Sequence, residues 1–359
     1  MPFLLLIALL FPRLLEGQHL AAYLDYRERF MVFDGGQTRE LENYKVSSFK
    51  VGGQCIAYVS YGNDFKVYYG GSVRTLEHTP PGEYTVTDYL MAYSTFGILK
   101  VFDEGELKTL CSHTNGYIVE DSLIAWYDEV QQVLNVYQNG ESGTIEDGLL
   151  QWPIRSYASG DNIIAYVTEF DNKFKIYYRG SVRVVDQNVR ETVYKAGRDI
   201  VGFMNQATNA FKVFYKGRFY DLESFAPRSF QTGDEMLAYV SDLGEFKIFE
   251  NGELVTIRNF APDSYQLKDS TLVFIEDGFL KTWCNGRVEV IEHYVPDVYR
   301  VSERTVAYLD VNQRVKAYIR CEPVNISYET VNSLDMIRNL IIFNVGVNTT
   351  RIWYNGKVY

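Results

Sequence analysis

Three histidines, His78, His113 and His293, each follow a β-like segment at the same point of a repeated pattern. Imidazoles so placed are candidate metal ligands or general bases. They come from well-separated units, so they meet at one metal only around a narrow central hole. Solvated loop histidines are the simpler expectation. A cation recurs at another fixed position, as Lys66, Lys100, Lys175, Lys212, Lys247, Lys281, Lys316 and Arg351. These eight could line an anion-binding ring. An acid also recurs, as Glu42, Glu146, Asp186, Glu223 and Glu292, so structural ion pairs with the lysine stems packed between units are the better reading. Mostly exposed pairs of this kind add under ~1 kcal/mol each.

Aromatics recur as well: Tyr44, Tyr84, Tyr117, Tyr157, Tyr194, Phe230, Tyr265 and Tyr299, with Trp152 nearby. They could stack sugars at a channel mouth, but packing between units is the expectation. No G-x-S-x-G, H-E-x-x-H, P-loop or EF-hand run is present, so no nucleophile, metal or cofactor site is assigned. No carboxylate pair for glycoside chemistry stands out by spacing among the 46 acids.

The elements behind these positions are copies of one template, FKIYYRGSVRVVD at 174–186. Relatives stand at 65–77, 99–110, 211–223, 246–257 and 280–292, each with two short β-branched and aromatic runs around a GG, EG, RG, KG or NG turn. That pattern predicts a hairpin. An apolar pair followed by an aromatic precedes each hairpin. The aromatic falls at Tyr23, Tyr58, Tyr93, Trp126, Tyr166, Phe203, Tyr239, Phe274, Tyr308 and Phe343, at intervals of 33 to 40 residues. Ten copies so evenly spaced specify a repeat array. Period-2 alternation, dense Tyr, Phe, Val and Ile, and frequent Gly, Asn or Asp exclude helical repeats.

Each unit of about 35 residues holds four strands. Strands 1 and 2 are joined at an acidic or glycine turn: Asp88, Asp121, Gly160-Asp161, Asp199, Gly233-Asp234 and Asp269. The looser 4–1 passages hold Pro80, Pro81, Pro153, Pro227, Pro262 and Pro296, where no ladder donor is needed. The prediction is an all-β fold, a β-propeller of about ten four-stranded antiparallel repeats. Within the hairpin at 65–77, Tyr68 should face Val73, Lys66 face Thr75 and Phe65 face Leu76, which leaves Lys66 and Glu77 diagonal on one face. The 1–2 and 3–4 turns share one end of the body. The 2–3 loops and 4–1 passages share the other, where YGND, EFDNK, NQATNA, DVNQR and NVGVNT vary, and binding is expected there.

The run Phe3–Phe11 is too short to cross a bilayer and fits a signal-peptide core with cleavage near Gly17. This divides the chain into a signal peptide, 1–17, and a propeller domain, 18–359, secreted or periplasmic, with no later transmembrane stretch. The first unit begins at its second strand, so a closed ring must deal with an empty inner slot. A net charge of −11 without a basic patch makes nucleic acid and anionic membranes poor partners. Cys284 and Cys321 sit at nearly equivalent turns of adjacent units. A disulfide there is conceivable, against the usual distance between neighbouring edges; Cys55 and Cys111 match no pattern. Asn325 and Asn348 open formal sequons, which matter only in a glycosylating host.

The stretch YASGDNIIAYVTEFDNKFKIYYRGSVRVVD resembles the PD40 repeats of TolB-like β-propellers, with a turn before an I-A-Y strand, then an I-Y strand and a closing strand. The Ser-Pro-Asp-Gly turn of that family is reduced here to Gly160-Asp161 or a lone acid. The resemblance implies a periplasmic or secreted scaffold that binds macromolecules and supplies no site residues. The sequence therefore points to a non-catalytic protein-binding propeller without a cofactor. The alternative is a carbohydrate-binding or carbohydrate-active propeller with its site on the variable-loop face.

Overall fold

The structure is a computed structural model that describes residues 19–149, 151–189 and 192–359. The signal peptide expected at 1–17 lies outside the described residues. Ten sheets follow one another in chain order, nine of four strands and, among the described residues, one of three. They are blade 1 (20–42), blade 2 (48–77), blade 3 (83–111), blade 4 (117–146), blade 5 (154–186), blade 6 (194–223), blade 7 (229–258), blade 8 (264–292), blade 9 (299–325) and blade 10 (331–358). Every pairing is between consecutive antiparallel strands, as in blade 5 with Ile154–Gly160, Ile163–Thr168, Phe174–Tyr178 and Ser181–Asp186.

The sequence explains this locally. The 3–4 turns place two successive residues at positive φ, such as Asn251 (55°) with Gly252 (83°) and Arg179 (49°) with Gly180 (78°). That is the geometry of a two-residue hairpin turn whose twist matches its strands. The second strands are buried on both faces, as Cys55–Val59, Leu123–Asp128 and Ile163–Thr168 are throughout. The fourth strands are largely exposed. Each blade is thus a wedge with its apolar inner strands sandwiched between two neighbours.

Two contacts recur at the interfaces, and both follow rules visible in residue types. In the first, a glutamate ending one blade accepts from a tyrosine on the second strand and a lysine on the third strand of the next blade. Glu77 takes Tyr93 Oη at 2.8 Å and Lys100 Nζ at 2.5 Å. Glu42 takes Tyr58 and Lys66, Glu146 takes Tyr166 and Lys175, Glu223 takes Tyr239 and Lys247, and Glu292 takes Tyr308 and Lys316. Where the second strand offers Trp126, Phe203, Phe274 or Phe343 instead, the preceding blade offers Cys111, Asp186, Arg258 or Ser327. The glutamate is present only where a hydroxyl will meet it.

The second contact joins the ends of the third strands. Asp34, Asp103 and Gln138 accept from Tyr68, Tyr137 and Tyr177 of the next blade, and Glu250 accepts from the Trp283 indole at 3.0 Å. Where the acceptor position holds Tyr69, Tyr178 or Tyr215, the partner is Phe102, Phe214 or Phe249, met edge-on at 5.4–5.5 Å between ring centroids. The same contact closes the ring, because Tyr354 of blade 10 meets Phe33 of blade 1 edge-on at 5.8 Å. Ala21, Phe33, Leu340 and Ile352 form the core of that closing interface. At blades 8 and 9 the acceptor position is Cys284, which is bonded to Cys321 across a Cα separation of 5.9 Å. Neighbouring 3–4 turns therefore come close enough for a disulfide, typically worth about 2–4 kcal/mol.

The hairpin register differs from expectation at one point. Tyr68 faces Val73 and Lys66 faces Thr75, but a bulge puts Phe65 opposite Glu77. The extra residue swings Glu77 toward blade 3, so Lys66 pairs with Glu42 of the preceding blade rather than with Glu77. These lysines are also less exposed than expected, 11–34% across the five clasps, so each clasp counts as a part-buried charged network rather than a surface pair. Burial works to raise Glu77, but the Lys100 and Tyr93 bonds outweigh it and hold its carboxyl below the usual range.

Replacing Glu77 by leucine leaves the Tyr93 hydroxyl and the Lys100 ammonium without an acceptor. It should cost about 2–3 kcal/mol in urea unfolding, and adding Tyr93→Phe should recover part of that loss. A cost below ~0.5 kcal/mol would show the clasp to be idle.

Candidate functional site

Antiparallel order sends the 1–2 and 3–4 turns to one face and the 2–3 loops and 4–1 passages to the other. The loop face carries a ring of exposed apolar tips. Eight of the ten 2–3 loops hold one: Tyr26 (55% exposed), Tyr61 (79%), Phe96 (87%), Val130 (70%), Phe170 (56%), Leu243 (82%), Val311 (74%) and Val347 (93%). The 4–1 passages add Tyr44, Phe225, Phe260 and Tyr328, all exposed by more than half. In the turns of the opposite face, the exposed large apolar side chain among the described residues is Tyr89. Scattered exposed apolar residues need no explanation, whereas a contiguous set marks an interaction surface.

The tips are held, not trailing. Asp25 Oδ1 accepts from the amides of Arg27 and Arg29, and Asp128 Oδ1 from those of Val130 and Gln131. Asp310 Oδ1 accepts from Asn312 and Arg314, Ser60 Oγ from Asp64, Thr168 Oγ1 from Lys173, and Ser241 Oγ from Glu245. A short polar side chain at the end of the second strand thus folds six of the eight loops back on themselves. The apolar residue one or two positions on is presented in a preset geometry, which lowers the ordering cost of binding.

The 1–2 turns converge at the axis. Their tips are Asp88, Asp121, Asp161, Arg198, Asp234, Asp269, Glu303 and Arg338. Arg198 ion-pairs with Asp161 at 3.8 Å and with Asp234, the turns on either side. Arg338 reaches from blade 10 to Asp88 of blade 3. It passes the level at which blade 2 has only Gly52-Gly53 and blade 1, among the described residues, has no first strand. The turns approach so closely that a Cβ on Gly160 would lie 2.3 Å from the Gly197 carbonyl oxygen, and one on Gly197 2.0 Å from that of Gly233. Charge, not open space, fills the centre at this face.

Crowded acids in a buried ring resist ionisation. Burial, the charges of Asp121 and Asp234, and an insufficient offset from Arg198 push Asp161 up to about 7. Asp121 and Asp234 are pushed up to about 6, again by burial first, with Asp269 adding to it and Arg198 opposing. Burial also raises Glu120. The cluster can take up protons just below neutrality. Among the described residues, no group of three or more His, Cys, Asp or Glu is placed to hold a metal.

The residues singled out in the sequence fall as follows. His78 lies 3.1 Å from Asp64, His113 3.3 Å from Glu129, and His293 packs edge-on against Phe279. They share the loop face but form three separate contacts. All eight cations of the ring are ion-paired, Lys212 with Asp221, Lys281 with Glu276 and Arg351 with Glu329 in addition to the five clasps. Packing between blades, the expected role of the recurring aromatics, is seen at four of the eight, and Tyr157 is half exposed. Tyr84, Tyr194, Phe230 and Tyr265 pack at 4.9–5.1 Å on Phe65, Phe174, Phe211 and Phe246 of the preceding blades. Tyr44 lies outside the strands, against Tyr61; the equivalent strand residue of blade 2 is Phe49. Trp152 packs over Gly116. The loop tips and the axial Arg198 and Arg338 were not singled out. Aligning the copies position by position exposes both, as an apolar residue inside Asp-, Asn- and Gly-rich loops and as a base in an acidic register.

The axial carboxyls keep protons at pH 5–6 that the unfolded chain, at an ordinary value of 3.8, has already released. Their contribution to stability therefore falls as pH rises from about 4 to about 7. The Asp161→Asn variant should lose part of this slope, read as a smaller drop in melting midpoint between pH 5 and pH 8, by roughly 2 °C or more. An unchanged slope would remove Asp161 from the cluster.

The profile of the 10-bladed beta propeller domain matches residues 14–359. None of the curated proteins compared matches the chain. Among solved structures it is similar to the computationally designed Ika8 protein, at 17% identity and a TM-score of 0.35, over 76% of this chain and 95% of that one. It is similar to the CRINKLY WD40 ectodomain from the Arabidopsis thaliana receptor kinase ACR4, at 9% identity and a TM-score of 0.33, over 70% and 98%. Prp20p from Saccharomyces cerevisiae follows at 12% identity and a TM-score of 0.33, over 58% and 72%. With ten blades counted in its own strands and a match across nearly its whole length, the chain belongs to the 10-bladed beta propeller domain family.

Proposed function

We propose that this propeller is a non-catalytic binding module that docks a polypeptide partner on its loop face, outside the cytoplasm. The observation that carries the reading is the ring of apolar tips on eight of ten 2–3 loops, six of them held in place by a polar side chain, where the turns of the opposite face carry only Tyr89 among the described residues. Acids outnumber bases in the same loops, with Asp25, Glu28, Asp64, Glu129, Glu169, Asp171, Asp242, Glu245, Asp277 and Asp310 against Arg27, Arg29, Lys173 and Arg314. The partner that fits is therefore basic around an apolar centre. A second copy of this chain, or an anionic membrane, would meet like charge. The Cys284–Cys321 bridge supports an oxidising compartment, as does the apolar run Phe3–Phe11. The I-A-Y and I-Y strand order supports kinship with TolB-like PD40 scaffolds.

The test compares the wild-type chain with a Tyr61→Ser, Phe96→Ser, Leu243→Ser variant and with a Val73→Ser, Val184→Ser outer-strand control. Exposed substitutions should each change stability by no more than about 0.5 kcal/mol. Wild type and control should retain the same stoichiometric basic polypeptide from an extracellular or envelope fraction, released by salt, and the tip variant should lose it. Equal retention by all three, or no stoichiometric partner, would contradict the reading. The carbohydrate alternative, stated for the loop face, would have to move to the axial acids of the turn face. Glycan binding abolished by Asp161→Asn and indifferent to the tips would favour it instead.

A further inference from the structure

The groove between successive blades on the turn face is crossed by the tyrosine and phenylalanine contacts described above, and it opens between blades 4 and 5 beside Gln138 and Tyr177. Between blades 8 and 9 it opens into a cavity of about 240 Å³. The disulfide forms one wall, Trp283 and Tyr318 provide flat apolar surface, and Arg304 and Arg320 stand at the rim. Glu250 also lines it, with Oε2 turned to the Trp283 indole N–H.

The repeat supplies an internal control for these arginines. At two other interfaces a base in the 3–4 turn of one blade pairs with an acid in the 1–2 turn of the next. Arg179 meets Asp199 at 3.4 Å, and Lys216 meets Glu235 at 2.6 Å. In blade 9 the acid's position is Arg304, opposite Asn285 of blade 8. Arg320 in turn faces the register of Asn339 in blade 10. Neither guanidinium has an ion pair or side-chain hydrogen bond among the described residues, although their backbones are joined by the Arg320 amide donating to the Arg304 carbonyl at 2.8 Å. The swap of the acceptor residue for Cys284 also leaves the Tyr318 hydroxyl without the carboxylate or amide that its counterparts Tyr68, Tyr137 and Tyr177 find. In a chain of net charge −11, this cavity keeps Glu250, turned to the Trp283 indole, but carries Arg304 where other interfaces place an acid. The disulfide holds its two walls at a fixed spacing.

We infer that this cavity is a binding site for a small organic oxyanion, with a carboxylate or phosphate group held by the forks of Arg304 and Arg320 and a short apolar or aromatic body against Trp283 and Tyr318. Guanidinium forks match the oxygen spacing of both heads. The volume of about 240 Å³ admits a compact molecule. The site lies on the turn face, opposite the loop tips, so it stands or falls independently of the docking reading.

The test is titration of the full chain, with its disulfide intact, with benzoate, phenyl phosphate and inorganic phosphate at low salt. Binding is followed by the NMR signals of the tryptophan indoles and by calorimetry. Saturable binding of benzoate or phenyl phosphate that shifts one indole signal is expected, and whichever binds more tightly assigns the head group. The Arg304→Ser, Arg320→Ser variant should bind at least tenfold more weakly while its melting midpoint without ligand is unchanged. An Arg74→Ser, Arg218→Ser variant, which removes two outer-strand charges, should bind as wild type does. No saturable binding by wild type, equal affinity after loss of Arg304 and Arg320, or equal weakening in the outer-strand variant would overturn the assignment.

Discussion

A blade of this protein has no stable life alone, because its second strand is buried on both faces and needs a neighbour on each side. What the structure depends on is the matching of residue types across each interface. At eight of the ten third-strand contacts a hydroxyl or indole N–H is met by a carboxylate or amide, or a phenylalanine is met by the edge of a tyrosine. The reason is the cost asymmetry of buried polar groups. A satisfied hydrogen bond contributes modestly, while an orphaned donor or acceptor loses its full hydration. Eight interfaces matched in this way specify which blade follows which, and one of them joins blade 10 to blade 1.

The same rule explains how the ring tolerates variation. Five interfaces use the Glu–Tyr–Lys clasp, and four others replace tyrosine and glutamate together. At blades 8 and 9 a covalent bond takes the place of the acceptor. Where the blade frame is so strictly set, the loops are free to vary, and this one frame separates two chemistries. One face presents apolar tips held by Asp, Ser and Thr side chains. The other gathers acids and two arginines at the axis, with side grooves whose polarity depends on the residues at each turn.

Much of the fold was legible because it rests on local signals. The Gly and Asn-Gly turns, the period-2 alternation and the even spacing of the I-A-Y strand each specify hairpins, and ten of them specify a ring. The expected sheet number, the four-strand unit and the division of loops between faces follow from those signals alone. The ion-pair partner of Lys66 was misplaced because a bulge between Phe65 and Lys66, set by tertiary packing, turns Glu77 to the next blade. The strand-1 aromatics were readable as packing or as a rim, and only the approach of Tyr84 to Phe65 decides between them. The Cys284–Cys321 bridge was in doubt because the distance between neighbouring turns depends on blade tilt, which no local pattern encodes. The loop tips were hidden for a different reason: an aromatic in a polar loop is unremarkable singly and gains meaning only when eight stand on one face.

The most direct test of interface matching is to convert one kind of contact into the other. Tyr69 of blade 2 meets Phe102 of blade 3 edge-on, where Asp103 of blade 3 accepts from Tyr137 of blade 4. The Tyr69→Asp and Phe102→Tyr substitutions each break the rule, and together they restore it in its other form. Unfolding of the two single variants and the double variant should give a favourable coupling of about 0.5–3 kcal/mol. A double variant no more stable than the sum of the single losses predicts would contradict the claim that matched residue types hold the ring together.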